Sequence, residues 1–238
     1  MLSAVIFDMD GVLVDSHPVH ERAWRRLLES LGRTMTDQER EFVHDGRKRD
    51  DILRHFFGPL PEAELRGYGA IKARFFAEFA GEMQLVKGVH EFVSALCAAG
   101  VPLAVASSAS RDRAEHILEQ FDLRRCFTAV VTGDDVANGK PDPAVYQAAC
   151  GRLQADPSAS LVVEDAVSGV QGALAAGMHC LGIADSSRAH LLYEAGARYV
   201  VPNFEGLTVE AVSEKFATRW LPATGSRGPE IQQAFPSR

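Results

Sequence analysis

Short, continuously apolar runs separated by helix-length segments constrain this chain more than any other feature. Ala4-Val5-Ile6-Phe7, Pro102-Leu103-Ala104-Val105-Ala106, Ala129-Val130-Val131, Leu161-Val162-Val163, Cys180-Leu181-Gly182-Ile183 and Tyr199-Val200-Val201 contain no charged residue. A strand with one wet face alternates apolar and polar residues. An unbroken run suits a strand covered on both faces, as in a parallel sheet layered by helices. The intervening segments have helical spacing. Phe92, Val93, Leu96 and Cys97 form one stripe, stopped by Gly100, and Ala114, Ile117, Leu118 and Phe121 form another. A third helix is predicted from Asp165 to Met178, with Gly177 near its end. The pattern predicts an α/β fold with a doubly wound, parallel-sheet, Rossmann-like core.

One long stretch breaks the alternation. From Ser16 to Leu85 there are helix patterns and no convincing strand. Trp24, Leu27, Leu28 and Leu31 share a face that ends at Gly32. Thr36-Asp37-Gln38-Glu39 has capping-box spacing, and Ile71, Phe75, Phe76 and Phe79 supply a further stripe. A small all-helical cap inserted after the first strand is expected, sitting over the C-terminal edge of the sheet. The domains then read as a core of residues 1–15 and 86–212, a cap of 16–85, and a tail of 213–238. The tail loses periodicity from about Pro222 and is expected to be partly disordered.

Composition excludes several classes. Lys and Arg total 25 against 32 Asp and Glu, a formal charge of −7 with no basic run. Nucleic acid and anionic membrane surfaces are poor partners for such a chain. No stretch approaches the ~20 apolar residues of a membrane span, and the first apolar run is broken by Asp8 and Asp10. Cys97, Cys126, Cys150 and Cys180 form no CxxC and read as small core residues in a reducing compartment. A cytoplasmic protein is expected. No exposed heptad or interface stripe is evident, so a monomer is expected too.

Four strand ends carry chemistry. Phe7-Asp8-Met9-Asp10-Gly11 places two carboxylates two residues apart, on one side of an emerging strand, with Gly11 letting the backbone turn. A carboxylate at neutral pH attacks phosphorus without a prior base, but needs a cation to offset repulsion from phosphate. Asp10, crowded by other carboxylates, suits the holding and returning of a proton. Ala106-Ser107-Ser108 offers a hydroxyl and backbone N–H groups to phosphate oxygens. Lys140, fixed between Gly139 and Pro141, offers a positioned ammonium. Glu164-Asp165 ends a buried run with an acidic pair, and Mg²⁺ typically takes one or two such carboxylates and keeps several waters. Each piece alone has an ordinary explanation: a turn, a solvated lysine, a helix cap. Their joint placement at strand ends, where open α/β sheets bind ligands, favours a single site.

These motifs, in this order, resemble the haloacid dehalogenase-like superfamily, in its group with a helical cap after the first strand. The resemblance covers roughly residues 1–212. It implies Asp8 as nucleophile, Asp10 as general acid and base, and Ser107 and Lys140 as holders of the transferring phosphate. It further implies Mg²⁺ held by Asp8, the Asp10 carbonyl and Asp165, with Glu164 at or next to the metal. An Asp at position 10 argues against the dehalogenase branch. The cap is similar to that of β-phosphoglucomutase and sugar-phosphate phosphatases. That likeness implies substrate contacts from His20, Trp24, Gly46, Arg49, Lys72 and Ser108.

The sequence departs from the mutases in two places. A Ser-Lys pair expected after the motif serine is Ala109-Ser110 here, followed by Arg111, and a lysine expected before the cap glycine is Asp45. Fewer cations for a second phosphate favour hydrolysis of a small phosphorylated metabolite over mutase action. A phosphoacceptor signalling domain is the rival from another class. It carries its acidic pair and acceptor on different strands and needs no cap, so Asp8-Met9-Asp10 and the insert disfavour it. A catalytically dead binding protein of this fold is disfavoured because every key side chain is present.

Overall fold

The computed structural model describes residues 2–216. Strand β1 (Ala4–Phe7) leads into a two-stranded antiparallel ribbon, β2 (Val14–Asp15) paired with β3 (Gln84–Leu85). Four helices lie between the ribbon strands: α1 (His17–Ser30), α2 (Asp37–Val43), α3 (Arg49–Phe57) and α4 (Glu62–Phe79). They form the helical cap. The ribbon was not foreseen, because two-residue strands are too short to show a period. It brings the start and the end of the insert together.

The other strands are β4 (Leu103–Ala106), β5 (Ala129–Val131), β6 (Ser160–Glu164), β7 (His179–Ile183) and β8 (Tyr199–Val201). With β1 they make a six-stranded sheet in the order β5-β4-β1-β6-β7-β8, every pairing parallel. Helices α5 (Val89–Ala98), α6 (Arg111–Gln120), α7 (Ala144–Leu153), α8 (Val167–Ala175), α9 (Ala189–Ala195) and α10 (Val209–Phe216) flank it. Successive side chains of β1 divide between the two faces. Val5 and Phe7 join a core that includes Phe92, Val105, Val163 and Phe204, while Ile6 joins one that includes Ala104, Tyr146, Val162 and Cys180. Both faces are therefore dry, which is why the apolar runs are unbroken.

Several boundaries moved for identifiable reasons. Glu164 closes β6 despite its charge, because its carboxylate is hydrogen-bonded inside the protein. The helix expected from Asp165 to Met178 is shorter, and Asp165 stands before its first turn. Residues 213–216, expected in a loose tail, complete α10, where Phe216 is buried against Tyr199 with ring centroids 5.4 Å apart. Residues 217–238, the rest of that tail, lie outside the described residues. Cys97 is exposed and Cys126 half-buried, contrary to the core reading, while Cys150 and Cys180 are buried. Among the described residues no helix is long and apolar enough to cross a membrane.

Strand β1 lies between β4 and β6: the chain runs outward through β4 and β5 on one side, then returns to β6 on the other. That is the switch point where such sheets open a crevice at their C-terminal edge.

Candidate active site

A cavity of about 660 Å³ opens between this edge and the cap, lined by Asp8, Asp10, Arg49, Lys72, Ser108, Arg113 and Asp165 among others. Its floor is assembled by consecutive strand ends. Asp8 follows β1, and its amide donates to the Val163 carbonyl at 2.9 Å, extending the sheet by one bond. The chain then turns at Gly11, whose φ of +77° favours glycine. A Cβ at Gly11 would also collide with the Asp165 carboxylate, so glycine admits that side chain.

Lys140 is buried and its Nζ lies 2.5 Å from both Asp8 Oδ1 and Glu164 Oε1. Glu164 Oε1 also accepts from the Tyr146 hydroxyl at 2.6 Å, and Oε2 accepts the amides of Asp165 and Ala166 at 2.8 and 3.0 Å. With both oxygens occupied, Glu164 acts as counter-charge and anchor for Lys140. Burial raises the Asp8 carboxyl well above the usual range; Lys140 opposes this, while Glu164, Asp165 and Asp10 add to it. Burial alone would make Lys140 a weaker base, but Asp8 and Glu164 outweigh it and raise its pKa.

Asp165 is buried and accepts from His17 Nε2 at 2.6 Å, a partner the sequence reading missed. Burial lifts the Asp165 carboxyl, and His17 only partly counters this. Crowded, buried carboxylates with too little positive charge are what a hard divalent cation relieves. Among the described residues no three His, Cys, Asp or Glu side chains converge as a closed cage. Two carboxylates, a main-chain carbonyl and waters need no such cage, so the donor set at Asp8, Asp10 and Asp165 fits Mg²⁺.

Ser107 is buried and its Oγ accepts from the Ala109 amide at 3.1 Å, fixing the turn after β4. Ser108 instead faces the cap, donating to the Gly46 carbonyl at 2.6 Å. Gly46 has φ +67° and packs against Ala166. Asp45 accepts the Ser168 amide at 3.0 Å, and its carbonyl accepts the Ser168 hydroxyl. Lys48 donates to the Val136 carbonyl at 2.6 Å. Asp45, noted in the sequence only as a missing lysine, thus helps to seat the cap on the first turn of α8.

The roof is a second charged cluster. Arg113, on α6, grips Asp10 bidentately at 3.0 and 2.6 Å, and Ser16 Oγ donates to Asp10 at 2.6 Å. His20 lies 3.3 Å from Asp10, with Nε2 2.9 Å from Arg113 and Nδ1 2.9 Å from Lys72 Nζ. Burial would raise the Asp10 carboxyl, but Arg113 and His20 hold it well below the usual range, so the crowding by carboxylates expected to help it hold a proton does not occur: its neighbours are cations and a histidine. Burial, then the neighbouring Lys72, pushes His20 down to about 3. Burial and Arg113 push the Lys72 ammonium well below its usual value. Trp24 packs edge-on against Phe56 and lies beneath Lys72, so it supports the roof while bordering the cavity. Arg49 reaches the cavity over Gly69, where a Cβ would crowd its guanidinium, and pairs with Asp50 at 2.9 Å. Arg111, counted among the available cations, turns away to Asp135 at 2.6 Å. Arg113 is the cation that enters. Its signal was present in the sequence, since it stands four residues before Ile117 on the inward stripe of α6.

The chain matches the model of the haloacid dehalogenase-like hydrolases over residues 2–177. It is 35% identical over 222 residues to a phosphorylated carbohydrates phosphatase of Thermotoga maritima, covering 87% of this chain and 98% of that one. It is 32% identical over 208 residues to the validoxylamine A 7'-phosphate phosphatase of Streptomyces hygroscopicus, covering 82% and 92%. The solved β-phosphoglucomutase of Clostridium difficile superposes with a TM-score of 0.80 over 91% of this chain and 98% of that one. At 22% identity that last likeness is one of fold.

Proposed function

The chain belongs to the haloacid dehalogenase-like hydrolases, and from that premise we propose that it hydrolyses a small phosphorylated carbohydrate through an aspartyl-phosphate on Asp8. The observation that carries this reading is the Asp8 carboxylate on the cavity floor, 2.5 Å from a buried lysine. A carboxylate with a fixed ammonium beside it can approach a phosphate that would otherwise repel it.

Mg²⁺ held by Asp8, the Asp10 carbonyl and Asp165 would supply further positive charge against the phosphoryl oxygens. An Asp8 oxygen bonds to phosphorus as the ester oxygen leaves and takes a proton from Asp10, which can carry one only after Arg113 lets go of its carboxylate. Water then attacks the same phosphorus, yields its proton to Asp10, and frees inorganic phosphate and Asp8. Lys140 stays paired with Asp8 and Glu164, so the nucleophile does not wander between steps. Ser107 shapes the turn beside the phosphate, while Arg49, Lys72, His20 and Gly46 face the organic part.

Arg113 takes the place of Arg111 among the cations that face the cavity, so their number is the same. Likeness to named phosphatases adds to the preference for hydrolysis. The test is a panel of phosphorylated carbohydrates with Mg²⁺, assayed separately for phosphate and for isomerised ester. Phosphate release that disappears without Mg²⁺ is expected. Conversion of β-glucose 1-phosphate chiefly to glucose 6-phosphate, with little free phosphate, would overturn the reading.

A further inference from the structure

We propose that His17 sets the cation preference of the floor: by occupying one oxygen of Asp165 it limits that carboxylate to a single contact, which suits Mg²⁺ and disfavours Ca²⁺. The inference rests on the phosphatase reading for the donors Asp8, the Asp10 carbonyl and Asp165. It goes beyond that reading in naming the residue that selects the ion.

The first observation is the bond itself. His17 opens α1, and its Nε2 lies 2.6 Å from Asp165 Oδ2. An ionised carboxylate can only accept, so Nε2 carries the hydrogen and donates it. A cation sharing Oδ2 would meet the positive end of that N–H. Oδ1 is the oxygen left to a cation, and both residues line the cavity.

The second observation is how firmly the pair is placed. A Cβ at Gly11 would overlap both Asp165 Oδ2 and His17 Nε2, so the bond lies directly over the turn that follows Asp8 and Asp10. The His44 ring meets the His17 ring edge-on with centroids 4.5 Å apart, bracing the imidazole from the cap side.

The third is that the other floor carboxylates are restricted in the same way. Asp8 Oδ1 faces Lys140 at 2.5 Å. Glu164 has Oε1 on Lys140 and Tyr146, and Oε2 on two amides. None of these three carboxylates has both oxygens free. Mg²⁺ takes an octahedral shell at about 2.0–2.1 Å that single oxygens and waters fill. Ca²⁺ takes about 6–8 oxygens and readily uses both oxygens of one carboxylate. Of the restraining groups, Lys140 also holds the nucleophile, whereas His17 is bonded to Asp165. Its removal therefore frees an oxygen for the cation without unpairing Asp8.

The test uses the full chain stripped of divalent ions by a chelator, as wild type, His17→Leu, His17→Ala and His17→Gln. Glutamine can still present an N–H to Asp165; leucine and alanine cannot. Mg²⁺ and Ca²⁺ binding are measured separately by calorimetry without substrate, and thermal denaturation checks that each variant is folded. Wild type should bind Mg²⁺ more tightly than Ca²⁺. That preference should fall by about tenfold or more in His17→Leu and His17→Ala, the scale on which groups behind a metal ligand act, and His17→Gln should restore part of it. Tb³⁺, an oxygen-seeking ion of calcium's size, gives a second readout, because its luminescence lifetimes in H₂O and D₂O count its bound waters. The leucine and alanine variants should hold Tb³⁺ with fewer waters than wild type, as the freed Asp165 oxygen displaces one. Equal changes for Mg²⁺ and Ca²⁺, in either direction, would reduce His17 to a support or a charge and overturn the proposal. An unchanged preference would overturn it too, and a wild type that binds Ca²⁺ as tightly as Mg²⁺ would do so with no variant at all. Selectivity that depends on His17, with no phosphorylated carbohydrate hydrolysed, would uphold this assignment while the phosphatase reading fails. Hydrolysis without such selectivity would remove the assignment alone.

Discussion

The floor and the roof of the cavity handle buried charge in opposite ways. On the floor, one lysine stands between two carboxylates, and the remaining oxygens of Glu164 are met by a tyrosine and two amides. On the roof, Arg113, Ser16 and His20 meet the single carboxylate of Asp10, Lys72 pairs with His20, and His20 is held neutral. The floor is short of positive charge and the roof of negative charge. The closed hydrogen-bond set around Lys140 and Glu164 fixes the floor where the reacting atoms must be placed, while the Asp10 cluster can reorganise around a substrate.

Breaking the floor should have the largest effect. Lys140→Met keeps the length of the side chain but strands Asp8 and Glu164 without their shared cation. Loss of one partner of a buried pair typically costs about 3–5 kcal/mol. Chemical denaturation should show a loss of that order, and turnover should vanish even where the variant remains folded. A stability unchanged within about 0.5 kcal/mol would mean that the floor pairing contributes little.

Much of this floor was legible in the sequence. Asp8 and Asp165 stand at the ends of apolar runs, with Lys140 in the loop after another, and strand ends converge in a parallel sheet. The roof was less legible. Arg49, Lys72 and His20 came only from resemblance, because cap helices of varied sequence share one apolar stripe and say little about where polar side chains point. Arg113 and His17 were missed, although Arg113 had the right spacing on α6. The hydrogen bonds of Glu164 were not legible, since spacing cannot tell which neighbour claims a carboxylate. Tyr146, six residues beyond Lys140, makes that claim through the packing of α7 on the sheet. Asp45 shows the same limit: an absence of charge for the substrate in sequence, a fastening of cap to core in three dimensions.

A gentler probe sharpens the roof. His44 borders the cavity, its ring meets His17 edge-on at 4.5 Å, and its buried Nε2 has no hydrogen-bond partner. Burial, and then His17, push its pKa down to about 3. In the unfolded chain a histidine protonates near pH 6.5, so between these values the unfolded state binds a proton that the folded state refuses. Its contribution therefore reduces stability as pH falls through that window. His17 has the opposite shift: burial is outweighed by Asp165, its pKa is raised, and its stabilisation is already complete below about pH 6.5. His44→Asn should thus gain stability relative to wild type as pH drops from 6.5, by up to about 1.4 kcal/mol per unit. Parallel stability curves across this range would show that His44 is not held neutral by the fold.

The central claim is that the floor carries a phosphoryl group on Asp8. Asp10→Asn should leave the nucleophile in place while slowing proton transfer, a step worth roughly 10²–10⁴-fold, so that the covalent species accumulates. Mixing this variant with Mg²⁺ and a turned-over ester, quenching in acid within the first turnover, and mapping the protein by mass spectrometry tests it directly. The expected result is one phosphoryl group, labile to hydroxylamine, on the peptide containing Asp8, and none in the Asp8→Asn protein. Phosphate released at the wild-type rate with no adduct on that peptide, or an adduct on another residue, would contradict the account.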